Sequence, residues 1–141
     1  MTNRSDIQHR DQVLRAYFQG RDWDKNQEYR LKQKLVLHSA ELLPDYPYVF
    51  DDEWEVNENR TQDGKGDLIF TDGEGRYAVV EVKWLDLKGS GKTTRTNRTK
   101  KRQKVQEQAV IYANELKQKM GKSSQVTAYW FTNECDKPQH A

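Results

Sequence analysis

The spacing of apolar positions along the chain predicts a helical N-terminal third followed by strands. Apolar residues recur at helical spacings up to Gly20, and again between Lys25 and Leu43. Pro44 ends the second of these helices. Short apolar runs of strand length then alternate with polar turns, and a long helix precedes the last strand. The predicted elements are helices over about 5–20, 25–43 and 99–119 and strands over 48–56, 68–71, 77–85 and 126–131.

This order of elements predicts the α/β class, with a mixed sheet that carries helices on its faces. The 141 residues fit one domain, and we expect a helical extension over 1–23, a main domain over 24–131 and a frayed tail over 132–141. No long apolar run or signal peptide is present, so we expect an intracellular protein, cytoplasmic or nuclear and not secreted, without a membrane partner. The single cysteine, Cys135, excludes a disulfide scaffold and a cysteine-ligated cluster.

The net charge of +2 conceals an uneven distribution of basic and acidic residues along the chain. The segment from Lys88 to Gln106 has eight basic residues and no acidic one, so the rest of the chain has a net charge of −6. Such a cluster favours a polyanionic partner, whereas the simpler alternatives are a solvated loop or a nuclear localisation signal. Its Gly-, Ser- and Thr-rich start predicts a flexible loop that leads into the long helix. The residues expected to bind nucleic acid are Lys92, Arg95, Arg98, Lys100, Lys101, Arg102 and Lys104.

The strand over 77–85 places a carboxylate and an amine on one face. Because alternate residues of a strand share a face, Glu81 and Lys83 lie on the same side, whereas Trp84 is expected on the other, beneath the helices. If a three-residue loop over 73–75 joins the two strands, Asp67 lies directly opposite Glu81. Two carboxylates about 5 Å apart at their Cβ atoms repel each other and need a cation. Either Lys83 or a divalent metal could supply it, and Mg²⁺ suits two carboxylates together with water and phosphate.

These residues predict hydrolysis of a phosphodiester bond. Asp67 and Glu81 would hold Mg²⁺ or Mn²⁺, with the backbone carbonyl of Val82 as a further ligand. Such a metal polarises a phosphoryl oxygen and lowers the pKa of its bound water, while Lys83 orients or helps deprotonate that water. Gly64 and Gly66 would allow a phosphate backbone to approach closely. The simpler alternative is a turn-capping aspartate beside an ordinary surface charge pair.

The sequence resembles the PD-(D/E)XK nuclease superfamily at three places. Asp67, in G-K-G-D rather than a literal P-D, matches the first motif, and Glu81-Val82-Lys83 matches the second. Gln108 and Tyr112 match the Q-x-x-x-Y motif of the RecB-like and lambda-exonuclease-like branch, and their spacing places both on one helix face. The resemblance implies a restriction-endonuclease-like αβββαβ core over about 24–131, with an extra N-terminal helix. It also implies a Mg²⁺-dependent deoxyribonuclease of DNA repair or recombination, in which Gln108 and Tyr112 support the metal site and contact DNA.

Many members of this superfamily also carry a glutamate on the first core helix, and two residues here could fill that role. On a helical wheel Glu28 lies beside the stripe formed by Leu31 and Leu35, whereas Glu41 lies off it. This placement favours Glu28 as a further member of the site, while a solvated helix carboxylate remains the alternative for both.

Two other functions fit the same sequence. A protein of this fold could bind nucleic acid through the segment over 88–104 without catalysis, or that segment could dock a protein or direct nuclear import. The set of Asp67, Glu81 and Lys83 favours catalysis, because a site that has lost its chemistry has no reason to keep three costly polar groups together. The low apolar content of so small a domain is also compatible with a homodimer.

Overall fold

Helices cover both faces of a five-stranded mixed sheet in the computed structural model, which describes residues 3–55, 65–89 and 91–141. The predicted α/β class is therefore confirmed. The helices are α1 (Arg4–Gln19), α2 (Gln27–Leu37), α3 (Ser39–Leu42) and α4 (Lys92–Met120). The strands are β1 (Tyr48–Glu55), β2 (Lys65–Thr71), β3 (Arg76–Lys83), β4 (Gln125–Thr132) and β5 (Gln139–His140).

The strands lie side by side in the order β1-β2-β3-β4-β5. The first three form an antiparallel meander, whereas β4 is parallel to β3, so the chain must return along the sheet, and α4 makes this crossover. Because β3 and β4 finish at the same end of the sheet where β2 begins, Asp67, Glu81, Lys83 and Thr132 meet there. We call this end the site edge.

The apolar side chains form one cluster on each face of the sheet. The cluster beneath α1 and α2 includes Phe18, Leu35, Phe70, Val80 and Phe131, and Trp84 packs against it, as predicted. The cluster beneath α4 includes Trp54, Ile69, Val79, Tyr112 and Leu116. The alternation of β3 residues between these clusters follows the pleat of the strand.

The register of the central hairpin is the one predicted. Leu68 lies opposite Val80, and the pairs continue in step to Thr71 and Tyr77. The Asp72 N–H donates to the Arg76 carbonyl at 3.2 Å, which closes a loop over 73–75. Gly75 in that loop has φ +93°, a left-handed conformation that suits glycine. The next step of the same register places Asp67 opposite Glu81.

The start of α4 differs from the prediction. The basic segment was expected to begin as a loop, yet it is helical from Lys92 onward. The first residue of α4 that is fully buried is Val105, so the buried half lies over 105–116 and the helix extends from it toward its N-terminus. Extending an existing helix is far easier than starting one, and the Thr96 and Thr99 hydroxyls bond to carbonyls one turn back. In the described residues, no helix is apolar enough over sufficient length to cross a membrane.

Three other boundaries also differ. The second predicted helix divides into α2 and α3, because His38 adopts a non-helical conformation between them. The tail was expected to fray, but β5 pairs with β4, with His140 opposite Tyr129. β2 begins at Lys65, three residues before the predicted start. The predicted end of β1 at Val56 lies outside the described residues.

A partly buried arginine joins α1 to the elements that follow it. Arg15 donates to both carboxylate oxygens of Asp11 at 2.9 Å, and Asp11 also accepts the Val49 N–H at 2.9 Å. The Arg15 guanidinium also donates to the carbonyls of Val36 and Pro47 and to the Ser39 hydroxyl. The end of α2 is therefore held by a side chain from α1, which explains why the helix stops there.

We expect Asp11→Ala to lower the free energy of unfolding by about 3 kcal/mol, because it leaves the partly buried Arg15 without its counter-ion and the Val49 N–H without its acceptor. Urea unfolding followed by circular dichroism measures this loss. Asp136→Ala removes an exposed carboxylate and should change stability by less than about 0.5 kcal/mol. Equal effects of the two substitutions would contradict the role given to Asp11.

Candidate active site

Two carboxylates face each other across the hairpin at the site edge. The Asp67 N–H donates to Oε2 of Glu81 at 2.8 Å, and the Val82 N–H donates to Oδ2 of Asp67 at 2.8 Å. Each side chain therefore accepts a backbone hydrogen bond from the strand opposite its own. These reciprocal bonds fix the orientation of both carboxylates, and we refer to the arrangement as the carboxylate clamp.

The clamp leaves one oxygen of each carboxylate for another ligand. Within residues 3–55, 65–89 and 91–141, Asp67 Oδ1 and Glu81 Oε1 accept no hydrogen bond. The same residues contain no group of three or more His, Cys, Asp or Glu arranged to hold a metal ion. A divalent cation would therefore depend on two carboxylates, together with water, phosphate or a carbonyl such as that of Val82. Mg²⁺ tolerates this kind of coordination, because it usually keeps several of its waters.

Burial makes this pair of carboxylates difficult to ionise. Burial and then the charge of Asp67 raise the pKa of Glu81 to about 8. Burial also raises the pKa of Asp67, against the opposing effect of the hydrogen bond from Val82. At neutral pH the pair therefore retains a proton unless a cation displaces it.

Lys83 lies beside the clamp and contacts a residue of α2. Its Nζ is 3.2 Å from Oε1 of Glu28, and both side chains are about two-fifths exposed. The same Glu28 oxygen lies 3.4 Å from the Trp84 N–H, at the end of β3. Glu28 is thus brought to the site, as the helical wheel favoured. Glu41 is exposed on α3, beyond the opposite end of α2.

A second ion pair, which the sequence did not reveal, lies below the clamp. Lys32 Nζ is 2.5 Å from Oδ1 of Asp52, and both side chains are largely buried. The positive charge of Lys32 lowers the pKa of both Asp67 and Glu81, although burial outweighs it. The sequence offered one indication that Lys32 lies near the site: it is four residues after Glu28 and therefore on the same side of α2. The inward direction of Asp52 was not predictable, because β1 contains an irregularity between Val49 and Asp51 that changes which residues face the core.

The charges at the site edge therefore do not cancel. Lys83 is matched with Glu28, and Lys32 is matched with Asp52. Asp67 and Glu81 remain, so the fully ionised group carries two uncompensated negative charges. This excess matches one divalent cation.

Gln108 and Tyr112 both lie on α4, and only the tyrosine is fully buried. Tyr112 packs edge-on against Trp54 with ring centroids 6.2 Å apart, whereas Gln108 is half-buried one turn earlier. Trp54 in turn lies against Gly66, where an added Cβ would be 2.2 Å from the indole Nε1. The space on the side of Gly66 where a Cβ would lie is therefore filled by tryptophan, so a phosphate could not approach Gly66 from that side. Gly64 lies outside the described residues. Tyr112 thus contacts Trp54 in the core beneath α4, and its role at the site stays a prediction.

The first ten residues of α4 project past the site edge. Arg102 is held at the end of the sheet, because its guanidinium donates to both carboxylate oxygens of Glu134 at 2.6 and 2.8 Å. The helix before it, over 92–101, spans about 15 Å. We call this part the basic arm. Of the seven predicted binding residues, those that are exposed are Lys92, Arg95, Lys100, Lys101 and Lys104.

Two of the predicted binding residues have partners within the protein. Arg102 forms the bidentate pair with Glu134, which raises the pKa of the arginine and lowers that of the glutamate. Arg98 donates to the Gly89 carbonyl at 2.5 Å, which ties the arm to the loop after β3. These two arginines hold the arm in place. The exposed lysines and Arg95 have side chains that solvent can reach.

Comparison with known proteins gives no relative: no family model, curated protein or solved structure matches this chain.

We expect the stability of the protein to fall as pH rises toward 8 when divalent cations are absent. The folded state binds the Glu81 proton more tightly than the unfolded state does, because the pKa of this group rises from 4.5 to about 8 on folding. Its stabilising contribution is therefore complete below pH 4.5 and is lost as pH rises through about 8. The slope is at most about 1.4 kcal/mol per pH unit. Urea unfolding in chelator at several pH values measures it.

Glu81→Gln provides the control, since glutamine can accept the same Asp67 N–H without ionising. The variant should lose this part of the pH dependence and should be more stable than the wild type at pH 8. Adding Mg²⁺ should stabilise the wild type at that pH more than the variant. The same pH profile for both proteins would contradict the raised pKa of Glu81.

Proposed function

We propose that the protein is a Mg²⁺- or Mn²⁺-dependent nuclease that hydrolyses phosphodiester bonds of DNA. The observation that carries this proposal is the pair of carboxylates held in the clamp, beside two lysines that are each matched with a different carboxylate. When a cation displaces the proton that the pair retains, the clamp carries a double negative charge. A site with this charge, next to an exposed basic arm, suits a divalent cation bound together with a phosphate group.

Asp67 Oδ1 and Glu81 Oε1 would hold the cation, and the Val82 carbonyl could complete the protein ligands. A cation in this position supplies polarisation of a phosphoryl oxygen and a water of lowered pKa. The backbone bonds of the clamp keep both carboxylates in place, so little reorganisation is needed when charge develops on the phosphate.

Lys83 is placed to act on the attacking water and on the phosphate. Its Nζ lies 3.2 Å from Oε1 of Glu28 at the site edge, where it could orient the water and stabilise negative charge on the phosphate. Glu28 holds this ammonium at the site edge and is therefore a positioning residue for Lys83. The attack would form a bond between the water oxygen and phosphorus, with the proton of the water passing to solvent. It would break the bond between phosphorus and the leaving oxygen, which takes up a proton from solvent or from a neighbouring group.

The order of elements also supports the proposal. Apart from the short α3, the chain from α2 to β4 runs helix, three antiparallel strands, crossover helix, parallel strand. This order agrees with the αβββαβ order that the resemblance to a restriction-endonuclease-like core implies. In that arrangement the proposed catalytic residues lie on the central hairpin, where Asp67, Glu81 and Lys83 are found.

We expect cleavage of DNA to require Mg²⁺ or Mn²⁺ and to fall at least about a hundredfold in Asp67→Ala and Lys83→Ala. The first substitution removes a ligand of the cation, and the second removes the positive charge that would act on the water and the phosphate. Release of a labelled product from single-stranded, duplex, flap and junction DNA measures the rate. Glu28→Gln should lower the rate less, since Lys83 remains.

Glu41→Gln is the matched control for Glu28→Gln, and it should leave the rate unchanged. Thermal unfolding of every variant shows whether the fold is retained. Unchanged cleavage in Asp67→Ala and Lys83→Ala would contradict the proposal. DNA binding without cleavage of any substrate in Mg²⁺ or Mn²⁺ would favour the inactive binding module instead.

We also expect the basic arm to contribute to DNA affinity in a manner that depends on salt. Lys100 and Lys101 are exposed on the arm, so neutralising both as Lys100→Gln and Lys101→Gln should weaken binding to DNA of any sequence. If each lysine contacts one phosphate, the slope of log affinity against log salt should fall by about 2. Lys117→Gln with Lys122→Gln, at the opposite end of α4, should leave the slope unchanged. Equal slopes in the two double variants would contradict this use of the arm.

A further inference from the structure

A groove of about 400 Å³ runs along the exposed side of α2. Its helical wall is formed by residues three or four positions apart, among them Gln27, Leu31 and Lys34. Trp84 forms part of the opposite wall, with one part of the side chain packed on the core and another part exposed. An aromatic side chain is thus available to a ligand in the groove.

The walls of this groove favour a ligand that is both anionic and aromatic. Arg30 and Lys34 supply positive charge and Gln27 supplies an amide, while no carboxylate is among the described residues that line the groove. Arg30 lies 3.7 Å from Asp24, but both side chains are exposed, so the pair is weak and can exchange for a phosphate. Cations beside an exposed aromatic ring are the combination by which proteins bind single-stranded nucleic acid.

The groove begins at the proposed catalytic site. Trp84 directly follows Lys83, and one oxygen of Glu28 lies within 3.4 Å of both the Lys83 amine and the Trp84 N–H. Gln27, in the groove wall, precedes Glu28 in the first turn of α2. A strand whose phosphate lay at the carboxylate clamp could therefore continue into the groove.

We propose that this groove holds an unpaired stretch of the DNA strand beside the bond that is cut, with a base stacked on Trp84 and phosphates near Arg30 and Lys34. The inference rests on the proposed function and names its substrate class, which is DNA with a single-stranded region. In a duplex the faces of the bases are covered by their neighbours, so only an unpaired base can stack on this ring.

The test compares two substitutions that both replace Trp84 with a smaller apolar side chain. Phenylalanine keeps an aromatic face and leucine does not, so Trp84→Phe and Trp84→Leu separate stacking from packing. Fluorescence anisotropy in chelator, where no cleavage occurs, measures binding of a labelled oligodeoxythymidylate, of the same sugar–phosphate strand without bases, and of a blunt duplex. Thermal unfolding of both variants reports on the fold.

We expect Trp84→Leu to bind the base-bearing strand about 5- to 100-fold more weakly than Trp84→Phe. The two variants should bind the strand without bases alike, and the blunt duplex alike. Arg30→Gln with Lys34→Gln should weaken binding of both single strands, whereas Lys117→Gln with Lys122→Gln should not.

The proposal is overturned if the wild type binds the strands with and without bases equally, or binds no single strand. This comparison needs no variant, so it decides the matter even if Trp84→Leu unfolds. Equal binding by the folded leucine and phenylalanine variants overturns it too. This test measures binding and not cleavage. A negative result here would therefore leave the nuclease proposal standing, and a failure to cleave DNA would leave the groove proposal standing.

Discussion

The arrangement of the site depends on how β2 and β3 are joined at their last shared position. From Leu68 and Val80 to the turn, the two strands pair residue by residue. At Asp67 they are joined instead by hydrogen bonds from backbone N–H groups to the carboxylates of Asp67 and Glu81. Carboxylates that replace a carbonyl as hydrogen-bond acceptors cannot rotate away from each other. The backbone N–H groups thus hold two repelling groups together, at an electrostatic cost that the hydrogen bonds offset only in part.

One part of α4 is buried against the sheet, and the other part extends into solvent. Its second half is fixed by apolar contacts beneath the sheet, and its first half is stable as a helix because it continues from there. The arm needs no core of its own, which suits a chain with only 34% hydrophobic residues. The pair of Arg102 with Glu134 marks the boundary between the two halves.

Much of this structure could be predicted because local rules determine it. The helical period identified α1 and α2, and the two turn glycines set the loop length and hence the alignment of Asp67 with Glu81. The ion pair of Lys32 with Asp52 could not be predicted, because it depends on an irregularity in β1. The contact of Trp54 with Gly66 likewise depends on how β1 and β2 align across the long connection between them. The threonine-rich start of α4 has the composition of a loop, and it is helical because it extends the buried part of the same helix.

The packing of Trp54 on Gly66 has a consequence for sequence variation at this position. Even alanine would force the indole to move, and the indole in turn contacts Tyr112. A substitution at Gly66 would therefore disturb the core beneath α4 and the neighbouring Asp67 at once. A change in the carboxylate clamp after such a substitution would accompany a change in packing, so position 66 couples the geometry of the clamp to the stability of the fold.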